Sequence, residues 1–432
     1  MREFAIRGGQ VVDQDGVRSA DVLVRDGRVV EVGAGLGVGL GTEGDLDASG
    51  CLVTPGLVDL HAHLRQPGSE EAETVETGAR AAALGGYTAV VAMPNTEPAV
   101  DTASLVRHVL DLGRPAPCDV YVAGALTVGR EGRQLAPLGE MHAEGVRIFT
   151  DDGACLADAR LMRRALEYAR SLPDAVVAQH AEDPCLVEGG HMHEGAWSAR
   201  LGIPGRPAEA EAAVVARDVL LARMTGGRLH VLHVSTADAV ASVRRAREDG
   251  IAVTAEVTPH HLVLTDEACA TYDPVFKVHP PLRPADDVDA LRRGLADGVI
   301  AAIATDHAPH PPEAKDQTFA DAPPGMLGLE TALAVVLTEL VAPGVLALER
   351  AIAALSWEPA AVAGLTDHGR PVAPGEPANL CVIDPDAAWE VDPHGLASRA
   401  RNTPWAGRKL VGRVRHTLLA GEAVVRDGEA TR

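Results

Sequence analysis

His61 and His63 stand two apart in Val58-Asp59-Leu60-His61-Ala62-His63-Leu64-Arg65, and in an extended strand that spacing turns both imidazoles to one face. Two imidazoles aimed at one point suit a metal ion. The approach Leu52-Val53-Thr54-Pro55-Gly56-Leu57-Val58 is apolar and β-rich, and Gln66-Pro67-Gly68 reads as a turn, so the pair belongs at the end of a buried strand. An isolated pair of this kind more often means one packed and one solvated ring. The rest of the chain decides otherwise.

Further candidates fall at the ends of other apolar runs: Thr150-Asp151-Asp152-Gly153, Gln179-His180, Leu232-His233-Val234-Ser235 and Thr305-Asp306-His307. Four imidazoles and two or three carboxylates exceed what one tetrahedral ion takes, and they suit a two-metal site with a bridging carboxylate and a shared water. Two Zn2+ ions would bring that water's pKa down to about 7 and polarise a carbonyl. A carboxylate must then carry the proton to a leaving nitrogen, and Asp306 is placed for both ligation and that shuttle. Arg65 is two residues beyond His63, hence on the same face, and its fork suits a substrate carboxylate; the alternative is an ion pair with Glu70 or Glu71.

Other histidines fit less well. His230 precedes His233 by three residues, which a strand period sends to the opposite face. His191 and His193 sit in a glycine-flanked connection, and His108, His142, His368, His394 and His416 fall on helices, loops or the small domain. His260 and His261, after Thr258-Pro259, are candidates to support the ligands rather than to be ligands.

For these residues to meet, the chain must bring several strand ends to one rim. Short apolar strands are expected at residues 57–62, 87–93, 119–126, 146–150, 175–180, 228–234, 251–258 and 300–306, with helical patterns between them at 73–84, 158–172, 208–224 and 237–249. Eight strands alternating with helices predict an α/β fold, a (β/α)8 TIM-like barrel, whose active sites form at the C-terminal strand ends. Two more helices are expected near 328–342 and 347–355. Residues 4–54 read instead as short strands and turns, with Asp26-Gly27 as a hairpin signal, and strands return at 378–383, 411–419 and 422–425, where Arg426-Asp427-Gly428 echoes Arg25-Asp26-Gly27. The organisation that follows is a small β-sandwich domain built from both termini, residues 1–54 plus 366–432, beside a barrel of residues 55–365. Gly39-Leu40-Gly41-Thr42-Glu43-Gly44 matches the dinucleotide fingerprint in letters only, lacking the strand before and the helix after, and is expected to be a flexible loop. A loop covering the substrate is expected near 311–324, where Pro and charge concentrate.

Composition narrows the partners. Against 39 Lys+Arg stand 61 Asp+Glu, a formal charge of -22 over 432 residues, which repels nucleic acid and anionic membranes. Six dispersed cysteines (Cys51, Cys118, Cys155, Cys185, Cys269, Cys381) form neither a disulfide framework nor a thiolate zinc site. The first residues carry charge and glycine where a signal peptide needs an apolar core, and no apolar run approaches the ~18 residues of a membrane span. A cytoplasmic location is expected, with no nucleic acid and no membrane as partners.

The motifs together resemble the amidohydrolase superfamily and, within it, the type I dihydroorotases. Besides the HxH segment they include Ala92-Met93-Pro94-Asn95-Thr96, Phe149-Thr150-Asp151-Asp152-Gly153, Gln179-His180-Ala181-Glu182-Asp183, Leu232-His233-Val234-Ser235-Thr236, Glu256-Val257-Thr258-Pro259-His260-His261-Leu262 and Ala304-Thr305-Asp306-His307-Ala308-Pro309-His310. The resemblance implies reversible hydrolysis of dihydroorotate to N-carbamoyl-L-aspartate in pyrimidine biosynthesis. It implies His61, His63 and Asp306 on one metal and His180 and His233 on the other, with an Asp of the Asp151-Asp152 pair as bridge; alignment favours Asp152. That Asp replaces the carboxylated lysine of hydantoinases and type II enzymes, since Val146-Arg147-Ile148-Phe149 offers no lysine. Arg65, Asn95 and His310 match residues that hold the substrate carboxylate. Two departures stand out. His279-Pro280-Pro281-Leu282-Arg283 has His279 where the family has Asn at a substrate contact, and Ala322-Pro323-Pro324-Gly325-Met326 replaces an Ala-Pro-Phe-Gly-type loop. A homodimer and an aspartate carbamoyltransferase partner are expected on the same ground. The competing readings are a hydantoinase or allantoinase, which would leave Arg65 without a substrate acid, and a non-catalytic partner of the transcarbamoylase, which loss of metal histidines would mark; all four are present.

Overall fold

In a computed structural model describing residues 3–36 and 44–432, the central feature is a set of eight short parallel strands: β1 (Leu57–Ala62), β2 (Tyr87–Ala92), β3 (Asp119–Val122), β4 (Ile148–Phe149), β5 (Val176–Gln179), β6 (Leu229–Val231), β7 (Val253–Val257) and β8 (Ala302–Ile303). β1, β2 and β3 pair in order, as do β4 to β8, all in parallel register. Two parallel bridges, Gly124 with Phe149 and Ala62 with His307, join the outgoing ends of β3 and β4 and of β8 and β1. The pairing order thus returns to its start. β1 and β2 are buried along their whole length, as strands covered on both faces must be.

Helices separate the strands, and their ends follow the local chemistry. Val75–Leu84 starts two residues later than the apolar pattern suggests because the Thr74 hydroxyl accepts from Thr77 N–H at 3.2 Å and caps it, which frees Glu73 to turn inward. Ala159–Ala169 is capped by Asp158 and stops short of Pro173, the three intervening residues forming a turn. Glu209–Thr225 closes on Gly226, whose φ is 67°, and Ala237–Glu248 stops two residues before Gly250. The expected helix at 328–342 is shorter: Ala332–Val336 runs into a π-type turn, Leu337–Val341. Leu348–Leu355 is followed by Trp357–Ala363, a helix the sequence pattern did not single out.

Most strands are shorter than their apolar runs. β3 stops at Val122 rather than 126 and β8 at Ile303 rather than 306. Beyond β6 and β8 the chain leaves the ladder and bends, with φ of 28° at His233 and 46° at Asp306. Backbone that turns out of a sheet is free to present side chains at the rim.

Strands from both ends of the chain share a seven-stranded sheet in the order Glu429–Ala430, Glu422–Arg426, Lys409–Leu419, Leu380–Glu390, Leu52–Pro55, Gln10–Asp13, Gly16–Ser19. A four-stranded sheet, Arg28–Gly33, Asp21–Arg25, Glu3–Arg7, Leu46–Asp47, shares with it an apolar cluster that includes Ile6, Val22, Val53, Leu380 and Leu418. Asp26-Gly27 and Asp427-Gly428 both have positive φ at both positions, the two-residue turn that matches strand twist. The fingerprint-like residues 39–43 lie outside the described residues. Leu52–Pro55 leads through Gly56 directly into β1, and a Cβ at Gly56 would meet Thr88 Oγ1 at 2.3 Å, so only glycine lets the chain cross there.

Candidate active site

Asp59, buried inside β1, accepts from Thr305 N–H at 2.9 Å and from the Thr305 hydroxyl at 2.5 Å, tying the end of β1 to the end of β8. Burial pushes its carboxyl up to about 7. On this frame His61 and His63 project to one side. His61 Nε2 lies 3.3 Å from Asp152 Oδ2 and 3.5 Å from Asp306 Oδ1, and His63 Nε2 lies 2.9 Å from Asp306 Oδ1 and 3.5 Å from Asp152 Oδ2. The other oxygen of Asp152 faces a second pair: Oδ1 is 3.4 Å from His233 Nε2 and 3.6 Å from His180 Nδ1. Those two ring nitrogens are 3.0 Å apart. Asp151 points elsewhere, accepting from Thr127 N–H and the Thr127 hydroxyl.

This donor set fits a cation. His61 Nε2 is buried and makes no hydrogen bond, and its own environment consists of two carboxylates and further imidazole nitrogens. Ligand atoms of His61, His63 and Asp306, and of His61, Asp152 and His233, cluster within 4.8 Å of one another. Lone pairs this close, out of water, call for protons or metal between them.

The imidazoles are held from behind. His61 Nδ1–H donates to Glu256 Oε1 at 2.8 Å, His63 Nδ1–H to Asn95 Oδ1 at 2.8 Å, and His180 Nε2–H to Glu182 Oε2 at 3.2 Å. Each such bond fixes the tautomer that leaves the opposite nitrogen as an acceptor for a cation. Glu182 also receives Arg206 at 2.9 Å. For both glutamates burial works against ionisation, but the imidazoles and, for Glu182, Arg206 outweigh it: Glu256 falls to about 2, and Glu182 is held well below the usual carboxylate range. Neither glutamate was singled out from the sequence, although a lone carboxylate in the mostly buried β7 was a usable signal.

A cavity of about 220 Å³ opens above the cluster, lined in part by His63, Arg65, Asn95, His279 and His310. Arg65 Nε donates to Pro309 O at 3.1 Å, and Nη2 stands 3.5 Å from His310 Nε2. Among the described residues Arg65 has no carboxylate within 4 Å, so the alternative ion pair with Glu70 or Glu71 is not made. His310 Nε2–H donates to Pro324 O at 2.8 Å, and burial beside Arg65 pushes its imidazole down to about 3, leaving it neutral. His279 is likewise neutral through burial, and its Nε2 makes no hydrogen bond. The 311–324 segment is fastened here: Lys315 Nζ donates to Pro323 O at 2.8 Å and to Pro274 O at 3.0 Å.

Residues 50–239 match the family model described as dihydro-orotase-like. A dihydroorotase of Streptomyces coelicolor is 54% identical over 436 residues, spanning 100% of both chains. The chain belongs to the dihydroorotase family. A dihydroorotase of Mycobacterium tuberculosis is 51% identical over 412 residues, 95% of each chain. Among solved structures, the L-hydantoinase of Arthrobacter aurescens superposes with a TM-score of 0.89 at 26% identity, covering 100% of this chain and 98% of its own. The dihydropyrimidinase of Brevibacillus agri gives 0.86 at 26% identity, with 100% and 96% covered. The mixed α/β architecture is therefore that of the cyclic amidohydrolases.

Within this dihydroorotase-family fold one expectation is corrected. His230 does not face away from the cluster: its Nε2–H donates to Glu256 Oε2 at 3.1 Å, so one carboxylate serves both His230 and His61. The strand period fails because β6 ends at Val231, and His233 is turned by its left-handed backbone. His260 and His261 lie on the short helix Pro259–Val263. His261 Nε2–H donates to Pro280 O at 3.0 Å, bracing the backbone beside His279, while His260 Nε2 is buried without a hydrogen bond. His368 joins Thr88 to Asp119, a packing role.

Proposed function

We propose that the chain catalyses the reversible hydrolysis of (S)-dihydroorotate to N-carbamoyl-L-aspartate, the cyclic-amide step of de novo pyrimidine biosynthesis, with zinc, two ions per chain. The observation that carries this reading is Asp152, set between two pairs of imidazoles, with the Arg65 guanidinium, which has no carboxylate within 4 Å among the described residues, on the wall of the same cavity. His61, His63 and Asp306 would hold one ion, His180 and His233 the other, and Asp152 would bridge. When bound, the ions would acidify a nearby water towards neutral pH and polarise the scissile carbonyl.

The chain's own groups do the rest. Asp306 is catalytic: its carboxylate takes a proton from the attacking water and passes it to the ring nitrogen as the C–N bond breaks. Burial alone would raise its pKa, but the imidazoles of His61 and His63 outweigh that and hold it well below the usual carboxylate range, so that it is ionised at neutral pH. Arg65, Asn95 and His310 receive the substrate carboxylate, and neutral His279 offers the ring amide an edge contact in place of an asparagine. The architecture that supports this is a (β/α)8 barrel of residues 55–365, with a β-sandwich of residues 1–54 plus 366–432 beside it. The family resemblance supports a homodimer, association with an aspartate carbamoyltransferase and a cytoplasmic location; among the described residues no helix is long and apolar enough to cross a membrane.

A hydantoin or allantoin ring would leave Arg65 unpaired in a buried place, which favours dihydroorotate. The test is steady-state hydrolysis of dihydroorotate, hydantoin and allantoin by the isolated chain. Dihydroorotate is expected to give the highest kcat/KM. Faster turnover of hydantoin or allantoin would reverse the order, and no turnover of any of the three by a chain that binds the transcarbamoylase in a separate pull-down would leave a scaffold.

A further inference from the structure

Asn402 belongs to the segment that follows Leu380–Glu390 and comes to rest against residues 308–327. It is 7% exposed, and all its side-chain polar atoms are engaged. Oδ1 accepts from His310 N–H at 3.2 Å, while Nδ2 donates to Ala308 O at 3.0 Å and to Gly325 O at 3.2 Å. Its main-chain carbonyl accepts from Leu327 N–H at 3.1 Å. Ala308, His310 and Gly325 line the cavity, and Pro309, between the first two, supplies the carbonyl that receives Arg65 Nε. One amide therefore sets the backbone that places both Arg65 and His310.

The chemistry is demanding. An acceptor and two donors on one short plane is what a carboxamide offers; alanine would strand one N–H and two carbonyls, and aspartate would face two carbonyl oxygens. The segment has other anchors, since Ala397 and Ser398 N–H donate to Glu330 and the Ser398 hydroxyl to Glu73. Losing the Asn402 amide thus loosens residues 308–310 without detaching the segment.

We propose that Asn402 is a positioning residue for substrate binding, holding residues 308–310 so that Arg65 and His310 converge on the carboxylate of the ring substrate. This rests on the reading that Arg65 receives that carboxylate. The test is a double-mutant cycle of Asn402→Ala with Arg65→Met, read as KM and kcat for dihydroorotate on protein of measured metal content. Asn402→Ala is expected to raise KM at least about tenfold with kcat changed less than about threefold and metal content unchanged. In the Arg65→Met background it should raise KM by only about threefold, the part that acts through His310. Asn402→Ser, a smaller packing change, should give the same pattern at reduced size and serves if the alanine variant does not fold. Equal KM effects in both backgrounds, or lost kcat and metal with KM unchanged, would overturn the role. If Arg65→Met raises KM and the Asn402 variants do not, this inference alone fails; if Arg65→Met leaves KM unchanged, the carboxylate reading falls and takes the inference with it.

Discussion

Glu256 Oε1 stands 2.8 Å from His61 Nδ1 across 195 residues of sequence, and its other oxygen holds His230 at 3.1 Å. A buried carboxylate so placed keeps the His61 proton on Nδ1 and leaves Nε2 free for a cation. Glu256→Gln should weaken metal binding by roughly 10- to 100-fold with the fold retained. Competition with a calibrated chelator measures it, and unchanged affinity would remove Glu256 from the account.

Asp306 is both ligand and proton carrier in the proposed mechanism. Asp306→Asn keeps the shape but neither the charge nor the proton affinity, so turnover should fall by about 10³-fold or more, with circular dichroism and melting temperature close to wild type. Near-normal kcat would show that another group moves the proton.

Arg65 has no carboxylate partner of its own among the described residues. Arg65→Met should raise KM for dihydroorotate by roughly 10- to 100-fold, and binding of a neutral cyclic amide should change far less. Parallel weakening of charged and neutral ligands would mean that Arg65 supports the cavity wall and does not read the substrate's charge.

Protons should leave when metal enters. Burial would lower the pKa of His180, but Asp152 and Glu182 outweigh it and push the ring up to about 9. A group raised in this way carries its proton below pH 9, and a cation at Nδ1 must displace it, so affinity should climb with pH up to about 9 and binding at pH 7 should release a proton. Calorimetry in two buffers of unlike ionisation enthalpy reads this directly. Buffer-independent heats would contradict it.

His61 and His63 were legible together because side-chain direction in a strand follows from period two, and Asp152, His180, His233 and Asp306 because the apolar runs told where strand ends fall, although the last residues before the rim leave the ladder at His233 and Asp306. The same rule misled at His230, where the ladder stops at Val231 before the period reaches His233. Glu256 carries no role in the sequence reading because its meaning lies in a pairing across 195 residues, which no local pattern carries, whereas Glu182, two residues from His180, was within local reach. Asn402 was less visible still: it is 92 residues from the His310 it holds, in a segment with neither strand nor helix periodicity.

The most direct test of the whole account is the zinc content per chain of purified protein before and after Asp152→Ala, with dihydroorotate turnover measured on the same samples. A carboxylate shared by two sites predicts about two ions per chain in the wild type, one or none in the variant, and loss of turnover with the metal. Zinc content and turnover both untouched by the substitution would contradict it.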